Sequence, residues 1–429
     1  MKVIHIGHVP LPRDYPCGSK VLGTAYHPGR WVLNLAIAQK AHTKDTPEVV
    51  VKNPGATRDW STEIEGVPVH FVATPNILRG KTGFLLDQRL LARAAMQLKP
   101  DVIHAHGTEE ANALAALRCP VPKVLTIQGC FFIINRKLPA KFFSRQWIVE
   151  RLERRSIPQF QHIITKSQYI RDEITREFPD VTSHLIPNTY DPRLEEIPFD
   201  QPRQNAIAFV GSIDPRKGLD LIADAMEILK AETGKLKAEA GDEGRESSDK
   251  RRGSGGLALP SLHIFGNHGG VGSQYEQDVL GRLQSVLGDR LVLHGLVEQV
   301  EMAKTISRCA ALVAPSREEM FGNQVIEALL VGTHAIVTDE TAMAENVRRF
   351  GNGTVVPQED APALAGAIQV ACNLYSNQEL RTKNQGLRTK NQELRTKNQE
   401  LKTSREAIIS SMGPAAVAKK HAELYQSFL

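Results

Sequence analysis

Short β-branched runs alternate with helix-period stretches along this chain, and the alternation starts over once. In the first half, Lys2 to Ile6 reads as a strand, Arg30 to Gln39 as a helix, Val102 to Ala105 as a strand, Glu109 to Leu117 as a helix and Val124 to Ile127 as a strand. Such a rhythm requires a parallel sheet covered by helices on both faces, with ligand sites where loops leave the carboxyl ends of the strands. Residues 186–203 then interrupt it with four prolines, at 187, 192, 198 and 202. Beyond them it resumes with strands at Ala206 to Val210, Leu262 to Phe265, Leu291 to His294, Ala311 to Ala314 and Ala335 to Val337, and a helix at Leu219 to Leu229. We therefore expect two doubly wound α/β domains, residues 1–190 and 205–414, joined by a linker at 191–204. A chain of 429 residues supplies each with its own core.

Two segments stand outside that rhythm. Residues 235–254 are rich in Lys, Glu, Asp, Gly and Ser with almost no large apolar side chain, and read as a disordered surface insertion. Residues 377–404 repeat NQELRTK four times with small changes. One leucine recurs per heptad (Leu380, Leu387, Leu394, Leu401) where a coiled-coil seam needs two apolar positions. A solvated helix lengthened by duplication and an oligomerisation segment both remain open.

Composition excludes several classes. A net charge of +5 is too mild for a dedicated nucleic-acid binder, and 41% hydrophobic residues exclude global disorder. Five cysteines without a C-x-x-C pair suggest neither a disulfide framework nor a cysteine zinc site. The opening MKVIHIGHVP is too short an apolar stretch for a secretory signal, and no run approaches transmembrane length. A cytoplasmic protein is expected. Residues 131–155 nevertheless hold seven basic side chains against two acidic ones, interleaved with Phe131, Phe132, Phe142, Phe143 and Trp147. That mixture suits contact with the inner face of a membrane, and equally a core helix with a basic outer face.

The richest stretch for chemistry is APSREEMFGNQVIEALLVG. A strand ends at Ala314, Gly322 and Asn323 read as a helix entry with Asn323 near the N-cap, and Gly332 as its stop. The amides of Phe321, Gly322 and Asn323 then face whatever occupies the helix N-terminus, where backbone donors and the dipole favour a phosphate. Glu319 in the loop and Glu327 in the helix would repel a phosphate, so their partners are neutral diols; a sugar nucleotide supplies both kinds of group. The bland alternative is a solvated Glu319 and a dipole-favoured Glu327. In VGSIDPRKG a strand ends at Gly211 and a loop carries Arg216 and Lys217 into a helix N-terminus. Two cations there oppose the dipole unless a diphosphate, or Asp214 and Asp220, offsets them. No D-x-D triplet occurs, which favours a diphosphate held without a metal.

In the first half, DVIHAHG places His104 and His106 on one face at the end of a strand. Packing or substrate hydrogen bonding explains them better than a metal. Gly29, before the first long helix, is either a phosphate-facing or a simple helix-entry glycine.

Together these stretches resemble the GT-B glycosyltransferases, specifically the large family 4 of retaining, nucleotide-sugar-dependent enzymes. EMFGNQVIE is similar to that family's E-x7-E signature and VGSIDPRKG to its strand, loop and Lys-Gly element, in the family's order after DVIHAHG and IPNTYD. The resemblance implies two Rossmann-like domains with a cleft between them and a C-terminal helix (residues 415–429) crossing back to the first. It implies that Glu319 binds the transferred sugar's hydroxyls, Glu327 the ribose diol and Lys217 the diphosphate, with Arg216 assisting and no cofactor. Departures are Ser212, where many members carry arginine, HPGRW in place of a double glycine, and Gln128, where others carry histidine. His104, His106 and Gln128 are the candidates on the acceptor side. The acceptor is not readable; a sugar-nucleotide epimerase or a non-catalytic sugar- or lipid-binding protein are the alternatives.

Overall fold

The computed structural model describes residues 1–9, 29–75, 79–80, 82–242, 259–266, 273–382 and 388–428, with the backbone alone for 236–242, 375–382 and 388–398. The chain divides into two compact units, Met1–Pro192 with Ile409–Leu429, and Arg193–Ile408.

In the first unit eight strands form one sheet: β1 (Lys2–Gly7), β2 (Thr46–Pro54), β3 (Trp60–Ile64), β4 (Val67–Thr74), β5 (Val102–His106), β6 (Lys123–Thr126), β7 (His162–Thr165) and β8 (Thr182–Leu185). Their spatial order is β3-β4-β2-β1-β5-β6-β7-β8, parallel throughout except for β3 against β4. A strand covered on both faces has no solvent side to fill with polar residues. Accordingly Val3, Ile4 and Ile6 of the central β1 are fully buried. The helix Trp31–His42 lies over this sheet, and the helix Pro414–Gln426 packs against it. Val417 and Tyr425 are buried in that contact, each apolar body worth on the order of 2 kcal/mol.

In the second unit six parallel strands, β9 (Gln204–Val210), β10 (Ser261–Phe265), β11 (Leu291–Gly295), β12 (Cys309–Ala314), β13 (His334–Thr338) and β14 (Gly353–Val356), are ordered β11-β10-β9-β12-β13-β14. The helices Leu219–Asp242 and Ala361–Thr382 pack on one face. Leu221, Ile222, Ala225, Met226 and Leu229, spaced for one helix face, close the core with Ile207, Phe209, Leu364 and Ile368.

The structure corrects the expected insertion. The helix that starts at Leu219 runs on to Asp242, so residues 235–242 are helical, because Lys, Leu, Ala and Glu sustain a helix without an apolar face. Residues 243–254 lie outside the described residues. The heptads fall in the helices Ala361–Thr382 and Arg388–Met412, with 383–387 outside the description; Leu401, the one heptad leucine with a described side chain, is buried. Among the described residues no helix is long and apolar enough to cross a membrane.

Candidate active site

In the second unit, β9 and β12 are neighbours, and the loops leaving their carboxyl ends interlock. After Gly211, Asp214 caps the short turn Pro215–Lys217 by accepting the Arg216 amide at 2.9 Å, and Ser212 bonds its other oxygen. Gly218 follows at φ +70°, and a Cβ there would stand 2.1 Å from the Pro315 carbonyl oxygen. Only glycine lets the two loops cross so closely. The Lys217 stem lies along Gly211, where an added Cβ would meet it at 3.4 Å.

This crossing brings Lys217 Nζ to 2.5 Å from Glu319 Oε2, with both side chains more than four-fifths buried. The other Glu319 oxygen accepts the Met320 amide at 3.1 Å. Gly322, at φ +78°, caps the helix Asn323–Leu330 and lies against Met343, so the cap is one residue earlier than expected and Asn323 is the first helical residue. The αL backbone at Gly322 turns the chain without needing a polar cap, and none is made. Phe321 is buried, its carbonyl accepting Asn346 Nδ2 at 2.7 Å. Glu327 is buried and accepts from Gln299 Nε2 at 2.5 Å. Arg216 reaches the Glu318 carbonyl at 3.4 Å.

Two residues here were not singled out in the sequence. Arg317 donates to both oxygens of Asp220 (3.0 and 2.8 Å), to both of Glu359 (2.5 and 2.9 Å) and to the Pro215 carbonyl (2.5 Å). Its amide bonds the Arg216 carbonyl at 2.9 Å. Asp220 therefore pairs with Arg317 rather than offsetting Arg216 and Lys217; burial opposes its charge, yet hydrogen bonds from Arg317 and Tyr275 hold its carboxyl below the usual range. Gln299, which holds Glu327, is the other.

The first-unit candidates separate into two groups. His104 is fully buried, with Nδ1 2.6 Å from Tyr425 Oη and Nε2 2.6 Å from Thr126 Oγ1. His106 Nε2 is 3.0 Å from Nδ1 of His5, whose Nε2 meets Gln39 Oε1 at 2.7 Å. The shared face of His104 and His106 is thus an interior one, closed by the C-terminal helix. Burial pushes all three imidazoles down, His5 to about 3, and His421 beside them to about 4. Their ligand atoms lie within 4.8 Å of one another, but both ring nitrogens of His5 and of His104 are already bonded to protein groups, and only Nδ1 of His106 lacks a partner among the described residues. Packing fits them better than a metal. Gln128, by contrast, is half-buried, and its carbonyl and Oε1 each accept from Lys166 Nζ at 2.9 Å. Glu153, read in the sequence only as one of the two acids of residues 131–155, accepts from Thr108 Oγ1 and the Phe131 and Phe132 amides at 2.7 to 3.2 Å. Burial pushes its carboxyl up to about 8. Gly29 lies against the Trp31 ring, whose edge a Cβ would meet at 1.7 Å.

The model of a family described as "Glycosyltransferase Family 4" matches residues 29–194, and one described as "Glycosyl transferases group 1" matches residues 204–373. The first takes in β2 to β8 and the second the whole of the other sheet, and together they span most of the sequence. The chain belongs to this glycosyltransferase family and has the GT-B architecture of two parallel-sheet α/β domains. It is 25% identical to a D-inositol 3-phosphate glycosyltransferase of Jonesia denitrificans, over 80% of this chain and 81% of that one. In structure it is similar to sucrose-phosphate synthase of Thermosynechococcus elongatus, with TM-score 0.71 and 17% identity over 99% and 98% of the two chains. It is also similar to Anabaena HepE solved with UDP and glucose, with TM-score 0.63 and 15% identity over the whole of both chains.

Proposed function

We propose that this glycosyltransferase is a retaining enzyme that moves a hexose-type sugar from a nucleoside diphosphate sugar to an acceptor hydroxyl without a metal. The second unit is the donor side and the first the acceptor side. The observation that carries this reading is the Lys217–Glu319 pair at the crossing of the β9 and β12 loops, beside the Gly322 helix entry. A buried ammonium is costly unless an anion accompanies it. In the resting arrangement Glu319 is that anion; with donor bound, the diphosphate takes Lys217 and frees Glu319 for the sugar's hydroxyls. Glu327, oriented by Gln299, accepts from the ribose diol. As the glycosidic bond breaks, charge grows on the leaving diphosphate, and in this reading Lys217, Arg216 and the helix-entry amides of Phe321 to Asn323 are the groups that stabilise it. Attack from the same face, assisted by the leaving phosphate, gives retention. Gln128 is the polar group offered on the acceptor side.

A second element of the proposal is place: transfer at the cytoplasmic face of a membrane, favoured by exposed Phe142 and Phe143.

The test is a thermal-shift screen against UDP-, GDP- and ADP-sugars, in which a bound donor raises the midpoint. Transfer is then assayed in EDTA with D-inositol 3-phosphate, named for the Jonesia relative, among the acceptors. Donor conversion without acceptor would establish an epimerase instead. Donor binding with neither hydrolysis nor transfer would establish a binding protein.

A further inference from the structure

The two most exposed large hydrophobic side chains among the described residues are neighbours, Phe142 at 71% and Phe143 at 69%. Phe143 sits at φ +55°, a conformation that bulky residues avoid, and the turn it makes tips both rings outward. They are not a loose tip. The rings contact each other at 4.3 Å and lean on Trp147 at 4.9 and 5.1 Å, and the Arg151 guanidinium stacks on Trp147 at 4.0 Å.

The helix Arg145–Ser156 continues the patch. Its inner face is Val149, Glu153 and Ser156, all buried, so Trp147, Arg151 and Arg155 share the opposite face at spacings of four. The basic residues fall into two kinds. Arg136, Arg145 and Arg154 are tied to Glu173, Glu110 and Glu150. Lys141, Arg151 and Arg155 make no ion pair among the described residues; Lys141 precedes Phe142 in the chain, Arg151 stacks on Trp147, and Arg155 lies one turn beyond Arg151 on the same helix face.

Resting on the membrane element of the proposed function, we infer that residues 141–155 are a docking surface for an anionic bilayer, with Phe142 and Phe143 entering the acyl boundary and Lys141, Arg151 and Arg155 at the phosphate level. A wedge of aromatic rings bounded by cations matches the two layers of such an interface, apolar beneath and negative above. A protein partner would need a complementary aromatic pocket and a ring of carboxylates; a neutral glycan would leave the cations unmatched.

The experiment is flotation of the full chain with phosphatidylcholine vesicles, with and without 30% phosphatidylglycerol. In parallel, Trp147 emission is read with brominated lipid as quencher, the other two tryptophans being Trp31 and Trp60. Binding is expected only with phosphatidylglycerol, with quenching of Trp147 and at least tenfold weakening at high salt. Phe142→Ser with Phe143→Ser should weaken it tenfold or more, and Lys141→Glu with Arg155→Glu should remove the salt dependence. Wild-type chain that ignores anionic vesicles, or a double-serine variant that binds them equally, overturns the inference. So does a concentration-dependent dimer that the serine variant abolishes, or saturable binding of a neutral glycan in place of lipid. The Glu319→Gln chain should float like wild type, so failed transfer and failed docking are separate outcomes.

Discussion

Both sheets end in polar side chains at their carboxyl edges, yet the two edges have opposite characters. In the first unit His5, His104 and His106 are neutral, buried and closed over by Tyr425 of the C-terminal helix. In the second, Lys217, Glu319, Arg317 and Asp220 are charged, partly accessible and bonded in pairs across two crossing loops. The comparison teaches that position at a strand end nominates a site without deciding it. A polar group becomes structural when the chain closes over it and bonds it internally, as for this cluster of imidazoles apart from Nδ1 of His106, and functional when one of its partners can be exchanged for a ligand.

If that distinction holds, the largest effect belongs to the exchangeable pair. Glu319→Gln and Lys217→Ala should each lower kcat by about 10²–10³-fold, with a lower thermal midpoint as well because each leaves a largely buried partner charge uncompensated; equal turnover would end the assignment. Arg317 comes next. Arg317→Ala leaves Asp220 without its bidentate partner and unlocks the Pro215 turn, so a stability loss of about 2 kcal/mol in urea titration and a fall of about tenfold in kcat are expected, with partial rescue by Arg317→Lys.

The histidine edge should respond to acid instead. Its folded-state pKa values lie below the ordinary value near 6.5, so the unfolded chain binds protons first. Stability is then full above about pH 6.5 and falls as pH drops toward the folded values of about 3 to 4. Trp31, Trp60 and Trp147 all lie in the first unit, so tryptophan fluorescence against pH reads that unit selectively. The smallest effect is expected from Tyr425→Phe, which keeps the buried ring but removes the hydroxyl shared by His104 and Gln39, at about 1 kcal/mol. A midpoint insensitive to pH between 7.5 and 5 would break the comparison from this side.

Much of the fold was legible because buried parallel strands such as β1, β5, β9 and β12 are nearly continuous apolar runs. Nothing in the rhythm marked residues 46–74, where β2, β3 and β4 carry Glu, Lys, Asn, His and Thr, and β3 pairs antiparallel at the edge with only Ile64 buried. Lys217, Glu319 and Glu327 were nominated from helix-entry chemistry that is local in sequence. Arg317 and Gln299 were not, since their partners Asp220 and Glu327 lie 97 and 28 residues away. For His104 packing and substrate hydrogen bonding both stayed open, because alternation fixes which face of a strand a side chain takes but not what covers that face. Here the cover comes from residue 425.

That last contact sets a timetable for synthesis. Residues 1–192 leave the ribosome with the groove over helix Trp31–His42 vacant, and the segment that fills it, beginning at Ile409, follows only after the whole second unit has been made. At about 5–20 residues per second this is a wait of roughly ten to forty seconds. During that interval the nascent first sheet exposes apolar surface and a row of imidazoles, the condition in which a growing chain is most prone to aggregate.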